Sequence, residues 1–276
     1  AGLFISDVEV LWSLSQPIGS IVAGPGTSTS FQGEFVGTGA IEATHTSADS
    51  SLSGTIEVRA GTASQIAVED ADDGTGTAVG DRPGLSTDDN LALHAVSRDA
   101  FGNFTGLKAV SWTSTGTLQA VSLDSQPSLA LALSAPGVGT VLISDTTLGA
   151  ADTGVFTVVP GKAGALEVSP DTLTVSADEG PSAFSVTAID ADGNATSDLG
   201  TITWSIASGP ITSINSATGA FDPSAAGTGA IRATSSYGPS DDTGEVSVLP
   251  GAASAIAIAP NTASVTADAA PFDFTV

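Results

Sequence analysis

The sequence predicts an all-β protein built from antiparallel sandwiches repeated in tandem, and three observations predict it. One set of landmarks returns three times in the same order. Trp12, Trp112 and Trp204 sit in the matching strings VLWSL (10–14), VSWTS (110–114) and ITWSI (202–206). GTGAI (37–41), GVGTV (137–141) and GTGAI (227–231) come after them, and IEVRAG (56–61), FTVVPG (156–161) and VSVLPG (246–251) close each unit. The interval of about 90–100 residues is too long for a solenoid repeat and suits whole domains in tandem. The second observation is alternation. Val8, Val10, Trp12 and Leu14 occupy every second position, as do Ile202, Trp204 and Ile206, and Phe184, Val186 and Ala188. Period two places one face in a core and the other in water. Third, turn clusters such as Gly24-Pro25-Gly26, Pro160-Gly161 and Asp192-Gly193-Asn194 return about every ten residues, the spacing of a β-sandwich.

The landmarks divide the chain into four parts. Residues 62–161 and 162–251 are complete units. Residues 1–61 are the back part of a unit, starting just before its Trp strand. Residues 252–276 are the front of another, because Gly251 to Val276 aligns without gaps on Gly161 to Val186, with Pro260 on Pro170, Val265 on Val175 and Phe274 on Phe184. The first complete unit is the longer one. Its excess lies before Asp99, in the acidic stretch Glu69 to Asp81. A loop absorbs such an insertion cheaply, because closure entropy grows slowly with length.

Composition narrows the function. The formal charge is −24, with two lysines and four arginines. That excludes a basic nucleic-acid surface and disfavours anionic membrane. No run is long and apolar enough to span a bilayer; Leu129 to Ile143 comes nearest and contains Pro136 and Gly137. There is no Cys, hence no disulfide framework, thiolate metal site or thiol nucleophile. The only histidines, His45 and His94, lie in different repeats. No nucleophile elbow, zinc-protease helix motif or phosphate loop occurs, so the chain reads as a non-enzyme with no organic cofactor.

Two strings carry a family resemblance. Asp99-Ala100-Phe101-Gly102-Asn103 and Asp190-Ala191-Asp192-Gly193-Asn194, each with the Trp strand within about ten residues after it, resemble the D-x-x-G-N turn of bacterial immunoglobulin-like domains of the invasin and intimin kind. Residues Ile214 to Thr234 are similar to the second half of another common bacterial immunoglobulin-like repeat. The resemblance covers nearly the whole chain. It implies tandem Greek-key sandwiches arranged as beads on a string in an extracellular or cell-surface protein. The N-terminal unit departs from it, keeping only Ala1-Gly2-Leu3 of the turn.

Three sets of residues are candidates for chemistry or assembly. Asp70, Asp72 and Asp73 are candidate ligands for calcium, since crowded carboxylates repel unless solvated or shared by a cation; a solvated acidic loop is the competing reading. Asn103 and Asn194 head the N-glycosylation patterns Asn103-Phe104-Thr105 and Asn194-Ala195-Thr196, and the turn itself also accounts for both. Ile256, Ile258, Val265, Phe272 and Phe274 are the apolar side of the C-terminal fragment and the candidate assembly strand. The three tryptophans are expected between the sheets of each sandwich.

The incomplete ends set the functional expectation. The last 25 residues supply the first two strands of a sandwich and residues 1–61 supply the rest. A sandwich missing two strands exposes hydrogen-bonding edges and a gap in its core. The expected partners are neighbouring immunoglobulin-like domains of the same polypeptide or other copies of the chain, joined by strand complementation. The expected role is a structural stalk or filament. The alternatives are an adhesin segment binding a glycan or host receptor, and an accessory region of a secreted enzyme or phage tail protein.

Overall fold

The computed structural model describes residues 7–22, 24–211 and 213–276. All regular elements among them are strands, and the chain divides into two compact units, 1–159 and 160–276.

The first unit holds two sets of strands. In the N-terminal set, Val10–Leu14 pairs with Pro25–Gly26 on one side and with Ile41–His45 on the other, and Ala48–Leu52 closes the sheet. Gly19–Ile21 pairs with Phe31–Gly33, and Gly37–Gly39 pairs with Ile56–Val58. The second set is a full sandwich. One sheet centres on Asn90–Arg98, flanked by Gln65–Glu69, Phe104–Leu107 and Ser128–Ala132. The facing sheet runs Ser122–Gln126, Val110–Ser114, Val141–Asp145, Gly149–Asp152. Beside it, Phe156–Val159 pairs antiparallel with Gly137–Gly139 and parallel with Arg82–Ser86. Alternation does what the period predicted: Val110, Trp112, Val141, Ile143, Phe156 and Val158 point into one core with Val68, Leu93, Leu129 and Leu131 from the other sheet.

The second unit repeats the plan. Ala165–Ser169 pairs with Ser185–Ile189; Leu173–Ser176 runs parallel to Val246–Leu249; Ile202–Ser208 pairs with Gly227–Ser235. Its core gathers Val168, Val175, Phe184, Trp204, Phe221, Ile231, Ala233 and Val246. Phe184 lies 6.3 Å from the Trp204 ring and 6.4 Å from Phe221, the latter edge-on. Such offset aromatic contacts add to area burial. Gly219 has φ +72°, and a Cβ there would sit 2.7 Å from Trp204 Cε2, so both backbone and packing require glycine.

Trp112 and Trp204 are buried between sheets as expected, whereas Trp12 is half-exposed. The local anchor is nevertheless kept: Trp12 Nε1 donates to Gly26 O at 3.1 Å and Trp112 Nε1 to Gln126 O at 2.8 Å, each 14 residues on. The N-terminal set thus has its Trp strand in place, with Trp12 only half-buried among the described residues.

A small polar plug recurs beside each core. Thr153 Oγ1 accepts from Val141 N at 3.0 Å and donates to Gly154 O; Thr243 does the same with Ile231 N and Gly244 O. Ser53 takes this place against Ile41 N in the N-terminal set. No buried side-chain nitrogen or oxygen among the described residues lacks a partner.

Candidate functional site: the open ends and the turn motif

The C-terminal segment 252–276 forms no extended ladder. It closes on one bridge, Ala259 to Thr275, with reciprocal N–H to O=C bonds of 2.9 Å each way. Ninety residues earlier the same positions, Ser169 and Ser185, pair within the first hairpin of the complete sandwich. The tail therefore holds the register of a sandwich's opening hairpin without a sandwich to close on. Its apolar side chains show the consequence. Phe274 is 58% exposed where Phe184 is 5%, Val265 61% where Val175 is 7%, and Ile258 56% where Val168 is 4%. Ile256 and Phe272 are exposed as well, and Phe272 and Phe274 stack edge-on at 5.5 Å. All five assembly candidates thus share one short exposed segment.

The N-terminal set carries the counterpart. Phe156–Val159 and Val246–Leu249 each have a parallel partner strand, Arg82–Ser86 and Leu173–Ser176. Ile56–Val58, the equivalent strand, pairs only with Gly37–Gly39 among the described residues, so one edge is free. Trp12, Ile41, Ala43 and Leu52 line an open groove of about 520 Å³. The equivalent faces of Trp204, Ile231 and Ala233 are covered by Val168 and Phe184 of the first hairpin. The positions of Ile258 and Phe274 are those of Val168 and Phe184 in the aligned repeat.

The acidic stretch does not gather a cation site. Asp70 accepts from Thr77 N at 2.8 Å and Asp73 from Thr75 N at 3.0 Å and Thr75 Oγ1 at 2.6 Å, and these bonds hold both carboxyls below their ordinary range. Among the described residues no three Asp, Glu or His side chains are grouped so as to hold a metal ion. The charge that matters here is Glu69. It is buried and takes a two-pronged bond from Arg98, 2.7 Å on each oxygen, while Arg98 Nη2 also donates to Gly74 O and ties the insert down. Paired and hydrogen-bonded, a buried carboxylate is tolerable; alone it is not.

The two Asp-x-x-Gly-Asn strings are tight turns with a buried aspartate at the centre. Asp99 Oδ1 accepts from Phe101 N and Asn103 N, both at 2.9 Å, and Asn103 Nδ2 bonds both carboxylate oxygens. Asp190 makes the same set with Asp192 N, Asn194 N and Asn194 Nδ2. The closing glycines, Gly102 and Gly193, both have φ +87°. The Gly61 amide, then the Asn103 side chain, lower the Asp99 carboxyl to about 2. A glycan on Asn103 or Asn194 would replace one of the amide hydrogens that these bonds use, and Thr105 and Thr196 spend their hydroxyls on Ser97 Oγ and Gly161 O.

The histidines do not converge on a reaction centre: His45 bonds Ser47 and His94 Nδ1 lies 2.8 Å from Ser128 Oγ. The sequence reading missed the Ser53, Thr153 and Thr243 plugs, although Ser53-Gly54, Thr153-Gly154 and Thr243-Gly244 recur at the repeat interval. It also missed the Glu69–Arg98 pair, for which no local signal exists.

No protein-family model and no curated protein sequence matches the chain. Solved structures do. Domains 4–9 of the surface layer protein SbsC are 16% identical over 94% of this chain and 41% of that one, TM-score 0.24. The N-terminal four Ig domains of Dscam1 isoform 4.44 are 13% identical over 88% of this chain and 65% of that one, TM-score 0.33. Extracellular domains 3–5 of Drosophila OTK are 12% identical over 89% and 86%, TM-score 0.33. This chain spans less than half of the surface-layer fragment and just under two thirds of the Dscam1 one. The SbsC fragment belongs to a surface layer protein and the OTK fragment to extracellular domains. This chain itself is all-β throughout the described residues, with two complete sandwich cores.

Proposed function

We propose that the protein is a structural segment of an extracellular stalk or filament, in which immunoglobulin-like sandwiches run end to end and each incomplete sandwich is completed by a neighbour's strands. One observation carries the reading. The segment 252–276 holds the pairing register of an opening hairpin, and the sandwich around Trp12 has the free edge and the apolar groove that such a hairpin covers elsewhere in the chain. In the proposed complex, Val265 and its neighbours run parallel to Ile56–Val58, as Leu173–Ser176 runs beside Val246–Leu249. Ile258 and Phe274 then lie over Trp12, Ile41 and Ala43. Main-chain pairing supplies affinity and the apolar side chains supply register. The donor is a second copy or an adjoining sandwich of a longer polypeptide. An outside location is supported by the absence of Cys, the charge of −24 and the resemblance to bacterial surface repeats.

The experiment is complementation in trans. A chain lacking 252–276 is mixed with the synthetic peptide 252–276, and Trp12 is monitored by indole NMR. The expected result is saturable binding with protection of the Trp12 indole, abolished by Phe274→Ser in the peptide. An indole unaffected by excess peptide ends the complementation reading. Electron micrographs of the whole chain and the deletion then separate the donors: fibres that need 252–276 identify a second copy.

A further inference from the structure

The Asp99 turn does more than turn the chain. Its Oδ1 builds the turn, and its Oδ2 reaches 38 residues back to accept from Gly61 N at 2.8 Å, the glycine that ends the N-terminal unit. A Cβ on Gly61 would sit 3.4 Å from that oxygen, so the linker peptide packs directly on the carboxylate. Asn103 reaches further. Its Nδ2 donates to Glu34 O at 2.7 Å and its Oδ1 accepts from Val36 N at 3.0 Å. Residues 34–36 form the bend between Phe31–Gly33 and Gly37–Gly39, in which the Glu34 and Phe35 amides both donate to Ile18 O. The side-chain amide of one sandwich thus reads the backbone of the sandwich before it. Arg98 braces the arrangement, donating from Nη1 to Gly102 O at 2.8 Å while Glu69 holds its other nitrogens. The linker half recurs at the next repeat, where Asp190 Oδ2 accepts from Gly161 N at 3.0 Å and Thr196 Oγ1 donates to Gly161 O at 2.6 Å.

We propose that the Asp-x-x-Gly-Asn turn is an inter-domain clasp: the aspartate pins the linker glycine, and the asparagine docks on the backbone of the 34–36 bend of the preceding sandwich, so that bead direction is fixed by a side-chain amide. The partner it fits is any preceding sandwich whose inter-strand bend offers a carbonyl and, two residues on, an N–H. Recognition is by main chain and is therefore tolerant of the preceding bead's sequence. Domains joined by short linkers move relative to one another unless such contacts hold them. Asn is the fitting residue because one amide both donates and accepts, whereas Asp in its place would turn a carboxylate toward Glu34 O and the Asp99 carboxylate.

The test uses the full chain, whose lack of Cys makes site-specific labelling clean. Spin labels at Ser50→Cys and Ser122→Cys, both exposed, report the distance between the two sandwiches of the first unit by double electron–electron resonance. The parent chain is expected to give a narrow distribution. In Asn103→Ala and Asn103→Asp it is expected to widen roughly twofold, as released domains sample more orientations. Asn103→Ala also removes the Nδ2 bonds to Asp99, so the urea midpoint of the 62–161 sandwich should fall while the sandwich stays folded without urea, as its Trp112 fluorescence reports. Asp99→Asn tests the linker half. If it does not fold, Gly61→Pro, which deletes the N–H that Asp99 accepts, replaces it, and widening is again expected. A distribution that stays narrow in Asn103→Ala overturns the proposal, as does widening that appears only together with unfolding of the sandwich. The readout is confined to the first junction, so this result is independent of the peptide experiment.

Discussion

Residues 162–186 and 252–276 share length, apolar pattern and the spacing of their opening pair, yet one is core and the other is surface. Phe184 is buried against Trp204 and Phe221; Phe274 is exposed beside Phe272. Local propensity is alike in both. The difference lies in the second layer. For residues 162–186 the strands Ile202–Ser208, Gly227–Ser235 and Val246–Leu249 provide the other wall. A hairpin without a second layer is at best marginal in water. Burial in a sandwich is thus a property of the whole repeat, and a fragment carries only its half of the information.

The comparison is most easily broken by truncating its aromatic anchors. Phe184→Ala is expected to destabilise the second unit by about 3–5 kcal/mol, whereas Phe274→Ala leaves the isolated chain within about 0.5 kcal/mol. Urea denaturation monitored by Trp fluorescence reads both, and equal losses would mean that the tail is already packed. Gly219→Ala combines an unfavourable φ with a clash on the Trp204 ring, and is expected to cost about 1–3 kcal/mol in the same assay. Thr153→Val keeps shape and removes the partner of Val141 N, at about 1–2 kcal/mol; Ser53→Ala, exposed in the incomplete sandwich, should cost less than half of that. A Ser53→Ala loss as large as that of Thr153→Val would show that the N-terminal sandwich is closed in solution.

Acid gives the gentlest perturbation. Asp99 titrates near 2 in the folded protein, below its ordinary value, because the Gly61 and Asn103 groups donate to the carboxylate. A depressed carboxyl contributes stability that is complete above the unfolded value of about 4 and is lost as pH falls toward 2. Asp145, lowered mainly by the Thr147 hydroxyl, acts in the same direction. The unfolding midpoint of the parent chain should fall between about pH 4 and 2, and Asp99→Asn should flatten that slope. An unchanged slope would remove Asp99 from the account.

Much of the fold was legible because sandwiches write their faces into alternate residues. Trp112 and Trp204, the turn glycines and the repeat of the closing strands all fell where the pattern placed them. The acidic stretch left two readings open, a shared cation and a solvated loop. Adjacent carboxylates suggest a shared cation, but Asp70 and Asp73 each meet a threonine of their own loop, and the sequence does not say which of the two a carboxylate will choose. Asn103 is a similar case. The sequence offered a turn and a glycan acceptor for it, while its further partners, Glu34 and Val36, lie in another sandwich.

By itself the sequence determined the strands and the recurrence of their landmarks, because both depend on periodicity or on comparison of the chain with itself. Tertiary structure decided which polar groups meet: the Asp99 carboxylate with the Gly61 amide, the Asn103 amide with the 34–36 backbone, Glu69 with Arg98. Those pairings join residues 29 to 69 positions apart, and a hydrogen bond is specified by geometry at about 3 Å, which no one-dimensional spacing encodes.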